Sequence, residues 1–220
     1  MKEFWDERYK EEVYAYGQEP NDFLKAQKFG SGLNVLCLAE GEGRNGVYLA
    51  SLGNDVTCID YSEAGLEKTK QLAILKGQEV SCICEDLSDV ELEPLKWDLI
   101  VGIFAHFPPN VKKHIWPQIS NALKPGGRLV MEVYDLEQLR FGTGGPQQEA
   151  LLYSKEELVE LLGNAFSSLQ IDKVYREVKE GAYHNGASAT YTYNSSTNKV
   201  TINGSGAYLG LPKANNSGEL

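Results

Sequence analysis

Apolar positions along the chain fall into short blocks separated by polar turns, and the first clear block is Val35 to Ala39. It shows no polar alternation, which is what a strand covered on both faces requires. The block runs into Glu40-Gly41-Glu42-Gly43-Arg44-Asn45-Gly46, after which Val47-Tyr48-Leu49 opens a helix. Gly41 and Gly43 remove two side chains where the chain must turn and where a ligand would lie against the backbone. Asp55 to Ile59 reads as a second strand with Asp60 at its end. Ser62 then caps a helix over residues 63–76, whose buried face carries Leu66, Thr69 and Ala73 and which Gly77 ends. Glu79 to Cys84, Trp97 to Ile103 and Arg128 to Tyr134 are the next strands. Between the last two, a helix over 110–123 shows an apolar stripe of Val111, Ile115, Ile119 and Ala122, which Pro117 is expected to kink or split. A capping box at Ser154 starts a helix carrying Leu158, Leu161, Leu162 and Ala165. Leu169 to Val178 and Ala187 to Tyr193 are the sixth and seventh strands, joined by a turn at 181–186.

Strand, glycine-rich turn, helix is the nucleotide-cradling corner of an open α/β sheet, because the helix N-terminus presents free N–H groups beside it. A lone Gly-x-Gly also fits any tight loop. Asp60 sharpens the reading: a carboxylate about 20 residues beyond the glycines, at the end of the next strand, is placed to grip two ribose hydroxyls. The pattern therefore predicts an adenosine-bearing ligand. Asp86, at the end of the third strand, lies on the same rim and can accept from the exocyclic amine of a base.

The ends of the chain differ from its middle. Residues 3–28 form a helical segment rich in aromatic and charged residues, equally suited to a lid over the ligand corner and to an amphipathic helix packed on the sheet. Glu19-Pro20-Asn21 marks a turn within it. The domain is expected to span 1–193. Residues 194–220 form a polar tail rich in Asn, Ser, Thr and Gly, with room for one strand at 199–203 before a disordered end. The glycine-rich loop 138–149 suggests a mobile substrate cover.

The 220 residues suit one α/β domain, and the net charge of −10 argues against nucleic-acid backbones and anionic membranes as partners. No apolar run is long enough to span a bilayer, and the charged opening Met-Lys-Glu-Phe-Trp-Asp-Glu-Arg is no signal peptide. Cys37, Cys58, Cys82 and Cys84 all fall in strands without metal-site spacing. They read as small buried hydrophobes in a reducing cytoplasm, and no metal is expected.

Four stretches together resemble the class I S-adenosylmethionine-dependent methyltransferases: Leu36-Cys-Leu-Ala-Glu-Gly-Glu-Gly-Arg-Asn45, Val56-Thr-Cys-Ile-Asp60-Tyr-Ser62, Leu123-Lys-Pro-Gly-Gly127 and Glu180-Gly-Ala-Tyr-His-Asn-Gly186. The likeness is to the small bacterial TehB-like group, related to the tellurite-resistance methyltransferase, which also shares the Trp5-Asp-Glu-Arg opening. The resemblance implies a Rossmann-like, doubly wound, seven-stranded sheet of order 3-2-1-4-5-7-6 with strand 7 antiparallel. It implies S-adenosyl-L-methionine as cofactor, with Ala39, Glu40, Gly41, Gly43, Arg44 and Asn45 around the methionine part. Asp60 and Tyr61 would meet the ribose, Asp86 and Leu87 the adenine, and Phe104 and Ala105 the sulfonium. Two departures stand out. Cys37 occupies a position that is acidic in the family, leaving Glu40 to serve the amino group, and Ala39 occupies a glycine position. The tail has no counterpart in the group.

Methyl transfer to a small-molecule acceptor needs in-line positioning, and a base only where the acceptor must lose a proton. His106 and His184 are the candidate bases, with Asp135 behind them. His114, beside Lys112 and Lys113 on its helix, reads as a solvated residue. Arg44 and Arg140 are candidates to hold an anionic acceptor, although a structural partner explains Arg44 better. Two rivals share the corner. A nicotinamide-dependent oxidoreductase fits Gly41-x-Gly43-x-x-Gly46, and a protein that binds the cofactor without turnover fits the loss of the carboxylate at position 37. A hydrolase is unsupported, since no Gly-x-Ser-x-Gly elbow occurs.

Overall fold

The computed structural model describes residues 2–162, 166 and 168–196. Thirteen regular elements follow in chain order: α1 (Lys2–Tyr9), α2 (Asp22–Ala26), β1 (Asn34–Leu38), α3 (Arg44–Ser51), β2 (Asp55–Asp60), α4 (Glu63–Leu75), β3 (Ser81–Cys84), β4 (Trp97–Ile103), α5 (Pro109–Ala122), β5 (Leu123–Tyr134), α6 (Lys155–Leu162), β6 (Ser168–Glu180) and β7 (His184–Ser196). The seven strands form one sheet of order β3-β2-β1-β4-β5-β7-β6. The pairs from β3 to β5 are parallel, whereas β7 runs antiparallel to both β5 and β6. The expected topology is therefore the one observed.

Each central strand is buried on both faces, as its unbroken apolar run requires. Leu36, Leu38, Ile100, Leu129 and Met131 face one core, with Ile115, Trp116 and Ile119 of α5 and Leu158 and Leu162 of α6. Val35, Cys37, Cys58, Val101 and Val130 face the other, with Leu49 of α3 and Leu66 of α4. Crossover helices thus cover both sides and leave the C-terminal ends of the parallel strands on a single rim.

Several expectations need correcting. The N-terminal segment is two short helices joined by turns, because Gly17 adopts φ 75° and Asn21 caps α2 through Leu24 N–H. Pro117 does not split α5. It removes one N–H from the ladder, and the wholly buried Ile115, Trp116 and Ile119 hold the helix to the sheet on either side of it. His114 is half-buried, its Nε2 2.8 Å from Val90 O. Its neighbour Lys112 is buried, donating to Leu152 O at 2.6 Å and pairing with Glu157 at 3.0 Å. All four cysteines are free, but only Cys37 and Cys58 are buried, since β3 is an edge strand that leaves Cys84 exposed. The loop 138–149 is tethered: Gln138 Nε2 donates to Thr143 Oγ1 and Gly144 O, and the Thr143 hydroxyl donates to Ala187 O. β7 continues through Ser196, past the expected boundary at 193. The strand expected at 199–203 lies outside the described residues.

Candidate active site

The corner after β1 is built from backbone that only small residues permit. Gly41 and Gly43 have φ of 62° and 86°. A Cβ on Gly41 would meet the Tyr9 hydroxyl at 2.6 Å, and one on Gly43 would meet Thr69 Cγ2 at 2.6 Å. Ala39 also sits in the left-handed region, at φ 50°. A glycine fits that position without strain.

Glu40 turns its carboxylate onto the start of α3, where Oε1 accepts from Asn45 N–H and Gly46 N–H, both at 2.8 Å. It thus occupies the helix N-terminus that an anion would otherwise take. Burial pushes its pKa up to about 7, against the pull of those two N–H groups. Asp60, buried at the end of β2, accepts from Gly41 N–H at 2.9 Å through Oδ2 and from Ser62 N–H at 2.8 Å through Oδ1. Its pKa is pushed up to about 6 by burial. Each oxygen keeps lone pairs beyond the bond it makes. A desolvated carboxylate with spare acceptor capacity, beside a glycine backbone, suits a pair of vicinal hydroxyls.

The N-terminal segment crosses this corner. Tyr9 is buried against Gly41 and Gly65, Ser62 Oγ donates to Asp6 at 2.6 Å, and Lys68 Nζ ties Glu42 at 2.7 Å to Val13 O at 2.9 Å. Tyr61 is half-buried beside Asp60. Leu87 is buried, whereas Asp86 is exposed and accepts from Ser88 N–H and Oγ–H at 2.9 Å. Phe104 has φ 53° at the end of β4, and Ala105 next to it is buried. Strain of this kind gathers at sites where geometry is over-determined.

The two candidate histidines differ. His106 has both ring nitrogens engaged, Nδ1 3.0 Å from Leu151 O and Nε2 accepting from Tyr134 N–H at 3.4 Å. Desolvation lowers its pKa to about 4. His184, buried between Tyr16 and Phe104 with centroid distances of 4.4 and 4.5 Å, leaves Nδ1 without a partner. Burial, then the charge of Arg44, lowers its pKa to about 3. Both rings are neutral near pH 7 and poor at retaining a proton. Asp135 does not back them, since it pairs with Lys173 at 2.8 Å. Arg140 is exposed, but Arg44 is buried and pairs with Glu180 at 2.7 Å. The pairing partner expected for Arg44 is thus Glu180, and the same arginine still leaves Nη1 unpartnered.

Residues missed from sequence surround Arg44. Glu132, wholly buried on β5, accepts from Arg176 Nε at 3.0 Å, Thr190 Oγ1 at 3.0 Å and Asn21 Nδ2 at 2.6 Å. Arg176 also donates to Glu180 at 2.9 Å. The one available signal was a charged residue inside an apolar strand, Glu132 within Leu129-Val-Met-Glu-Val133.

Residues 35–127 match the family model described as a methyltransferase domain. An uncharacterized methyltransferase of Bacillus subtilis, YbaJ, is 33% identical over 134 residues, covering 60% of this chain and 51% of its own length. EEF1A lysine methyltransferase 2 of Danio rerio is 26% identical over 155 residues, covering 59% of this chain and 66% of its own. The chain thus spans half to two thirds of these curated relatives. Among solved structures, a TehB-like S-adenosylmethionine-dependent methyltransferase from Corynebacterium glutamicum superposes with TM-score 0.55 at 18% identity, over 80% of this chain and 85% of its own, a likeness of fold.

Proposed function

We propose that this protein, whose residues 35–127 match the family model described as a methyltransferase domain, transfers the methyl group of S-adenosylmethionine to a small-molecule acceptor. The family's cofactor supplies a methyl already activated by a positive sulfur, so the protein has chiefly to position and enclose. In this reading Asp60 holds the ribose hydroxyls, the turn at Gly41 and Gly43, packed on Tyr9 and Thr69, brings its backbone to the methionine part, and Glu40 offers a carboxylate to its amino group. Leu87 and Asp86 meet the adenine, the latter through the exposed carboxylate oxygen that its bonds from Ser88 leave unused. Phe104 and Ala105 flank the reacting sulfur. The N-terminal segment, through Tyr9, acts as the lid. The observation that carries the reading is Asp60: a buried, desolvated carboxylate bonded to the backbone of the glycine corner and retaining free lone pairs. A small acceptor fits better than a protein side chain, because the rim beyond Phe104 is roofed by Tyr16 and by the tethered loop at Gly144 and Gly145.

Isothermal titration with S-adenosylmethionine and with NAD(H) tests the cofactor. We expect binding of the first only, weakened roughly tenfold or more in Asp60→Asn, which keeps the shape but loses acceptor capacity toward the two hydroxyls. Equal affinity in the variant would remove Asp60 from the site, and binding of NAD(H) alone would favour an oxidoreductase. No helix among the described residues is long and apolar enough to cross a membrane.

A further inference from the structure

The groups that hold the cofactor in this reading are shut in. Asp60 is 4% exposed, Ser62 and Thr69 are wholly buried, and residues 41–45 are buried throughout. A ligand of nucleoside size reaches Asp60 only if part of the cover moves. The floor of the corner is fixed, because β1, β2, α3 and α4 carry Val35, Cys58, Leu49 and Leu66 into the core. The remaining cover is the N-terminal strap, residues 2–16. Tyr9 lies against Gly41 and Gly65, and Asp6 accepts from Ser62 Oγ at 2.6 Å. Within the strap only Tyr9 and Ala15 are buried, while Phe4 and Val13 are 54% and 69% exposed. A segment with so few buried apolar contacts opens far more readily than the core beneath it.

The strap is fastened on two sides. At the corner, Lys68 Nζ donates to Val13 O at 2.9 Å and to Glu42 at 2.7 Å, and Tyr16 N–H donates to Glu42 at 3.4 Å. Opposite, it meets the turn between β6 and β7. Ala182 N–H and Tyr183 N–H both donate to Ala15 O, at 2.9 and 3.4 Å. Gly181 has φ 70°, and a Cβ there would run into the Tyr16 backbone, so this turn is shaped to receive the strap. The Arg8 guanidinium stands 4.1 Å over the Tyr183 ring and donates to the Tyr16 hydroxyl at 3.0 Å. Tyr16 in turn lies 4.4 Å from the His184 ring, which packs on Phe104. Beyond the strap the chain is held again, since the buried Asn21 donates to Glu132 at 2.6 Å. Between the two lies Gly17, at φ 75°.

Resting on the transferase reading above, we propose that residues 2–16 form one gate over both halves of the site, hinged at Gly17 and latched by Arg8 on Tyr183. The strap covers Asp60 through Tyr9, and the rim at Phe104 through Tyr16 and His184. Lifting it therefore uncovers the cofactor corner and the acceptor side in a single event. The cofactor waits on that event, so at high concentration the opening step sets its association rate. The latch is the same contact in the free and the loaded protein. Weakening it speeds entry and exit alike and leaves affinity nearly unchanged. A residue that binds the cofactor behaves otherwise, since its loss speeds exit alone.

Stopped-flow mixing of the full chain with S-adenosylhomocysteine tests this. The signal is the fluorescence of Trp5, whose ring lies 5.5 Å from that of Tyr9, while Trp97 and Trp116 lie in the core. In the wild-type protein the observed rate should level off as ligand concentration rises. Tyr183→Leu and Arg8→Met each remove the latch at a partly exposed position. Each should raise both the plateau and the dissociation rate roughly three- to tenfold, with Kd changed by no more than about twofold. The double variant should match either single one. A wild-type rate that climbs linearly with concentration overturns the gate. So does faster dissociation with Kd weakened in proportion, and so do rates that neither variant moves. Failure of the wild-type protein to bind either S-adenosylmethionine or S-adenosylhomocysteine overturns the transferase reading and this one with it.

Discussion

At the scale of single residues, Ala39 and Cys37 in the corner after β1 differ in what their surroundings ask of them. Ala39 adopts φ of 50°, the left-handed region that favours glycine, and an L side chain there costs about 1–2 kcal/mol. Glycine would relieve that strain but give back about 0.5–1 kcal/mol of unfolded-state entropy. Ala39→Gly should therefore be neutral to stabilising by up to about 1 kcal/mol, read as the denaturant midpoint at constant slope. Clear destabilisation would mean that the methyl packs better than its half-buried position suggests. Cys37 is different. It is wholly buried beside Cys58 in the strand register, so a carboxylate at that position would sit in an apolar core here. The nearby acid is instead Glu40, one turn of chain later and bonded to the start of α3.

At the scale of elements, the antiparallel end of the sheet is held to the parallel half by charge. Glu132 from β5, Arg176 and Glu180 from β6, Thr190 from β7, Arg44 from α3 and Asn21 ahead of α2 form one buried network. Breaking such a network by deleting one partner leaves an uncompensated buried charge, at a cost of about 3–5 kcal/mol. Arg176→Met should destabilise by about that amount, whereas Arg176→Met combined with Glu132→Met should recover part of the loss. A single variant with wild-type stability in a urea titration would show that the network is idle. Little of it was legible beforehand, because its members lie far apart in the chain and no local pattern links residues 21, 44, 132, 176 and 180. The strands and crossover helices were legible for the opposite reason. Their signal is local: apolar runs of strand length, Ser62 as a cap, glycines at helix ends. The glycine corner and Asp60 were readable because strand, turn and helix lie within one stretch of chain. His114 was misjudged, and the tether of the loop 138–149 went unseen, because their partners, Val90 and Ala187, come from distant parts of the chain.

For the whole molecule, the two carboxylates of the corner make pH the coupling between folding and ligand. Burial raises Glu40 from 4.5 to about 7 and Asp60 from 3.8 to about 6. Glu40 faces Arg44, Asp60 and the Cys37 and Cys58 thiols, while Asp60 faces Asp6, Tyr9 and Tyr61. A folded-state pKa above the unfolded value means that the native state holds protons the unfolded chain would release. The stabilising contribution is fully present below about pH 4 and is lost as pH rises through 6 to 7. The free protein's melting temperature should fall over that interval relative to Glu40→Gln, in which one of the two titrations is absent. The cofactor reverses the sign. Its ammonium and sulfonium favour the ionised carboxylates, so binding should expel protons between about pH 5 and 7 and weaken as pH drops through that window. Titration calorimetry in two buffers of different ionisation enthalpy counts those protons directly. Proton release near pH 6 that disappears in Asp60→Asn would tie the corner to the ligand, and affinity independent of pH from 5 to 8 would separate them.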